Sequence, residues 1–213
     1  MTDAPPPDPQ IRSAQDDLAF LRALVQTGDV MQKPFGQAYL AGGLCYGAQL
    51  LLSGLDGLGL WAPTPAVSIT IAIAPTVVFC LLLAWIIGRA RTNAPPAGMQ
   101  RTIGKVFGCL GVSNLGLIVV IGAVALREHN LTTWLIYPCA VFVLQGAAWL
   151  VAYSLLRRGW MGMMAAGWMA SAAIMATFIQ TTSVFIVVAG GALMLFMALP
   201  GWLILRGSKM VAY

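Results

Sequence analysis

Ionisable residues are missing where a membrane machine would need them. Six uncharged stretches run through the chain, at 35–55, 67–87, 106–126, 134–156, 160–180 and 183–205, and none contains Asp, Glu, Lys, Arg or His. Proton relays and ion-coupled transport sites are built from intramembrane ionisable groups, so this absence argues against a proton-driven pump. It also argues against an intramembrane hydrolase, whose nucleophile needs a neighbouring base or metal ligands. Histidine occurs once, as His129, which excludes multi-histidine metal sites. The four cysteines, Cys45, Cys80, Cys109 and Cys139, show no C-x-x-C spacing and read as small buried apolar residues with free thiols. No cleavable secretory signal is visible: the first apolar run begins near residue 35 and is long enough to stay in the mature protein.

Charge is scarce throughout. Of the 213 residues 59% are hydrophobic and 9% charged, whereas an ordinary soluble domain is roughly a quarter charged. Such a chain cannot cover itself with a water-compatible surface. Each uncharged stretch has at least 21 residues, enough at about 1.5 Å per residue to cross a hydrocarbon layer of roughly 30 Å. Backbone amides there must be satisfied within their own segment, so the expected fold is an all-α, polytopic bundle of six transmembrane helices. The organisation expected is a cytoplasmic arm over 1–33, the bundle over 34–206 and a cytoplasmic tail over 207–213.

The net charge of +5 does not form a nucleic-acid stripe, because the cations lie in the connections. Arg12, Arg22 and Lys33 precede the first stretch, Arg89, Arg91, Arg101 and Lys105 follow the second, Arg157 and Arg158 follow the fourth, and Arg206 and Lys209 follow the sixth. The alternate connections hold Arg127 alone. Cations are retained on the cytoplasmic side during insertion, so eleven against one predicts both termini inside and an even number of spans. Trp61, Trp134 and Tyr137 then fall at the outer interface, and Trp85, Tyr153, Trp160 and Trp202 at the inner one.

Pro75, Pro138 and Pro200 recur at nearly constant spacing, but at unequal depths, and read as independent kinks rather than a threefold repeat. Among polar residues in the spans, Asn114 and Gln145 stand out. They lie about 13 and 18 Å from the inner interface at about 1.5 Å per residue, close enough to meet. They read either as an interhelical hydrogen bond or as part of a polar-substrate site. Gly43-x-x-x-Gly47, Gly104-x-x-x-Gly108 and Gly167-x-x-x-Ser171 let backbones approach, within one chain or in a homo-oligomer. Methionines crowd the fifth stretch, at 161, 163, 164, 169 and 175. They serve flexible packing; a cuprous pathway would want Cys or His at its portals, and there are none. His129, between Glu128 and Asn130, reads as part of a solvated loop. No catalytic, metal-binding or cofactor-binding residue emerges, and the expectation is a protein that is not an enzyme and carries no cofactor.

Residues 1–9 are Pro-rich and read as disordered. From Ser13 a capping box opens a helical run to about Gln26, with a stop at Gly28. Leu18, Leu21 and Val25 share one face of that run. With Asp16 and Asp17 against Arg22 alone, the face suits protein better than an anionic lipid surface. The stretch 17–24, Asp-Leu-Ala-Phe-Leu-Arg-Ala-Leu, followed at once by six spans, resembles a group of small uncharacterised bacterial inner-membrane proteins with a short N-terminal cytoplasmic helix. That resemblance implies a bacterial inner membrane and no activity. The expectations for function are therefore a non-enzymatic regulatory or scaffolding membrane protein, embedded in lipid and meeting a cytoplasmic protein through its arm, or alternatively a small transporter or channel for a neutral or weakly polar solute.

Overall fold

The computed structural model describes residues 9–90 and 99–210. Every regular element in them is helical: α1 (Pro9–Gly57), α2 (Pro65–Ala90), α3 (Met99–Glu128), α4 (Leu131–Leu156), α5 (Gly159–Thr177), α6 (Thr182–Leu193), a π-helical segment (Met194–Ala198) and α7 (Leu199–Met210). Five stretches are long and apolar enough to cross a membrane, namely Lys33–Gly57, Pro65–Ala90, Gly104–Glu128, Leu131–Leu156 and Thr182–Arg206. The expectation of apolar helices able to span is met at these five. α5 does not reach the same measure, because its 19 residues are diluted by glycine, Ser171 and two tryptophans.

α1 forms the axis of one half of the bundle, packing along α6, the π segment and α7 on one side and along α2 on the other. α4 organises the second half, with α3 and α5 against it. The halves meet through the interior side chains of α1 and α4 and through α5 against α6 and the π segment. Trp149, Trp168, Phe185 and Met175 are almost wholly enclosed there. α2 and α3 lie outermost: of their most apolar windows only 6% and 0% of residues are buried. Large apolar side chains such as Ile69, Leu81, Val112 and Val119 therefore point outward, an arrangement that water would penalise and lipid tails accept.

Three local expectations change. The arm helix does not stop at Gly28; α1 continues through Gly28 and Pro34 into the bundle as one 49-residue helix. Proline lacks one donor and its ring crowds the carbonyl four residues back, but its fixed φ is helical, and the helix runs on through Pro34. The sixth stretch is not one regular α-helix. Pro200 has no N–H to offer the carbonyl of residue 196, and its ring crowds that carbonyl; the chain opens locally, and Leu199 N–H bonds instead to Met194 O five residues back. Finally, Cys80 and Cys109 are exposed rather than buried, because the outer faces of α2 and α3 carry no covering element; all four thiols are free. The disorder expected before Pro9 lies outside the described residues.

The seam between α1 and the α6–α7 unit is built on glycine. A Cβ on Gly43 would overlap the backbone of Ala198, one on Gly201 would lie 2.5 Å from Leu40 N, and one on Gly190 would lie 2.9 Å from Leu51 N. Gly43 and Gly47 thus serve packing within the chain, as does Gly167 against Phe196. By contrast a Cβ on Gly108 of α3 would meet nothing within 4 Å.

Candidate functional site

The interior polar groups gather around Tyr39. It lies six residues past Lys33 on α1, about 9 Å along the helix at about 1.5 Å per residue, and is 5% exposed. Trp149 on α4 donates its Nε1–H to the Tyr39 hydroxyl oxygen at 2.7 Å. The hydroxyl in turn donates to Gln145 Oε1 at 3.4 Å. Gln145 and Trp149 are one helical turn apart, so both fall on the stripe of α4 that faces α1. Trp168 of α5 completes the group; it is 1% exposed, and its Nε1–H has no hydrogen-bond partner among the described residues.

Aromatic rings seal this group on the side of Lys33. Phe35 stacks on Tyr39 with centroids 5.0 Å apart, Phe107 of α3 stands edge-on to Phe35 at 5.0 Å, and Trp160 stands edge-on to Trp149 at 5.4 Å. Toward the middle of the bundle Trp168 meets Phe142 at 4.8 Å and Phe196, from the π segment, at 6.2 Å. Each such pair adds about 0.5–1.5 kcal/mol beyond its buried area. The cluster therefore ties α1, α3, α4, α5 and the π segment together at one level.

The expected pair is not brought together: no hydrogen bond joins Asn114 to Gln145. Gln145 shares its stripe with Trp149, which faces α1, and its partner is Tyr39. Asn114 instead lies beside the Tyr137 phenol on the α3–α4 side, with its Oδ1 buried and without a partner. Tyr39 is not among the polar residues that stand out in the sequence; its only signal there is its spacing of four from Phe35, which puts both on one face of α1.

The methionines of α5 scatter around the helix, Met175 fully enclosed and Met163 71% exposed, and converge on no common point. His129 sits in a left-handed turn with φ 50°, between α3 and the Asn130 cap of α4, and no group of three His, Cys, Asp or Glu forms among the described residues. The face carrying Leu18, Leu21 and Val25 belongs to α1, but its side chains lie outside the described residues. At the end of the bundle where α1 emerges, Arg89 lies over the Trp85 ring at 5.4 Å and Arg206 over Trp202 at 4.4 Å, cation–π pairs suited to an interface. Searched against known proteins, the chain matches no family, no curated protein and no solved structure.

Proposed function

We propose that this chain is a non-enzymatic regulatory or scaffolding protein of a bacterial inner membrane, crossing it six times with both termini in the cytoplasm. The observation that supports this reading is the continuity of α1. From Pro9 to Lys33 it runs about 36 Å, at about 1.5 Å per residue, before becoming the span against which α2, α6 and α7 pack. An arm built as the extension of a core helix transmits a push or a twist directly into the bundle. Its carboxylates Asp16 and Asp17 disfavour an anionic lipid surface, and Leu18, Leu21 and Val25 supply an apolar face for a cytoplasmic partner.

Deleting residues 1–28 tests the reading. The shortened chain is expected to insert and to melt within about 2 °C of the full chain, since the spans hold their own backbone bonds. Affinity purification in mild detergent should recover a partner with the full chain and lose it with the shortened one. Equal recovery from both, or strong binding of the 9–28 peptide to anionic vesicles, would refute a protein-docking arm. Orientation has its own test: reporters fused after Gly57, Asn130 and Thr182 should report the outer side, and a cytoplasmic Thr182 would remove α5 or another helix from the spanning set.

The alternative, a transporter or channel for a neutral solute, draws on the interior polar group at Tyr39 and Gln145. Uptake by proteoliposomes that is lost on Tyr39→Phe would favour it over the regulatory reading.

A further inference from the structure

Three groups around Tyr39 have hydrogen-bonding capacity left over. Trp168 Nε1–H is a donor with no partner, enclosed to 1% exposure. The Tyr39 oxygen accepts from Trp149 and donates its own proton to Gln145, which leaves one of its two lone pairs unused. The Gln145 amide engages a single lone pair of Oε1, in a bond stretched to 3.4 Å. The Trp168 indole lies within hydrogen-bonding reach of the Tyr39 hydroxyl, but the contact between them does not attain the geometry of a hydrogen bond. In a bundle surrounded by lipid, a buried donor cannot borrow bulk solvent, and leaving it bare costs free energy.

We propose that Tyr39, Gln145 and Trp168 hold one buried water molecule between α1, α4 and α5. The water accepts from Trp168 Nε1–H and donates to the free lone pair of Tyr39 and to Gln145 Oε1, giving it three partners, the usual number for an internal water. A water fits better than an ion, because the stretches that carry Tyr39, Gln145 and Trp168 contain no charged residue. It fits better than a larger solute, because Phe142, Trp149 and Phe196 already pack around Trp168 and Tyr39. The competing account is an N–H···π contact, in which the Trp168 indole points at the Phe142 ring standing at 81° to it.

The test is NMR of the full chain in lipid nanodiscs with 15N-labelled tryptophan. One indole N–H resonance should disappear in Trp168→Phe. In the unmutated protein that resonance should lie downfield and show a cross-relaxation contact with water, and Gln145→Leu should weaken the contact at least twofold. A resonance shifted upfield by the Phe142 ring, with no water contact, would overturn the proposal, as would a water contact that Gln145→Leu leaves intact. Should Trp168→Phe fail to accumulate, replacing the exposed Trp61, Trp85 and Trp202 by Phe narrows the assignment without touching the site.

Discussion

Gly43→Leu should prevent the bundle from closing, whereas Gly108→Leu should leave it intact. At residue 43 the new Cβ meets backbone, Ala198 N and Cα, and backbone has no rotamer into which it can retreat. Inserting methylenes into a packed core costs about 1–3 kcal/mol when side chains can shift. Here the cost should reach or exceed the top of that range, a large part of a total stability of about 5–15 kcal/mol. The close approaches at Gly190 and Gly201 also meet backbone, Leu51 N at 2.9 Å and Leu40 N at 2.5 Å, whereas at Gly47 the nearest atoms belong to the flexible Met194 side chain. On α3 the same substitution adds apolar surface where nothing lies within 4 Å. Detergent-solubilised protein measured by thermal unfolding and size-exclusion profile should separate the two variants. Equal behaviour would mean that the α1 seam is not the tight interface that the glycines describe.

The extent to which the sequence foretold this fold depends on the kind of force involved. Hydrophobic length is local, so Lys33–Gly57, Pro65–Ala90, Gly104–Glu128, Leu131–Leu156 and Thr182–Arg206 were all legible from residue order. α5 was legible as an uncharged stretch, but Gly167 and Trp168 serve packing rather than lipid contact, and composition alone cannot separate those uses. Gly28 read as a stop because local propensity favours one there, and α1 passes through it. Pro200 was readable as a kink, yet the form that kink takes, a π turn presenting Phe196 to Trp168, depends on what waits on α5.

That no hydrogen bond joins Asn114 to Gln145 has a related reason. Depth along a helix follows from counting, but rotation about its axis is set by the neighbours. Asn114 and Gln145 were placed near a common depth; Gln145 then turned with Trp149 toward α1 and found Tyr39. A tyrosine counts as an aromatic until its hydroxyl is known to be enclosed. The glycine motifs divide in the same way: Gly43-x-x-x-Gly47 lies on the seam, while Gly108 stands open on α3, and the spacing is identical.

Trp149→Ala is expected to be the most damaging truncation in the interior. The side chain is 2% exposed and touches the rings of Phe35, Tyr39, Phe107 and Trp160, so its removal empties a space bounded by three other helices. Truncating a buried tryptophan costs about 3–5 kcal/mol from lost transfer energy and the cavity left behind. Tyr39 also loses its donor, although its own proton still reaches Gln145, so that loss adds only about 1 kcal/mol. Trp149→Phe separates the two contributions: it keeps most of the ring volume and deletes only the Nε1–H bond, and should cost about 1–2 kcal/mol. Trp85→Ala, on a residue 53% exposed on α2, serves as the control and should stay within about 0.5 kcal/mol. Thermal unfolding in detergent should therefore rank the three variants Trp149→Ala, Trp149→Phe and Trp85→Ala from most to least destabilised. If Trp149→Ala melts with Trp85→Ala, the aromatic cluster does not hold the two halves of the bundle together.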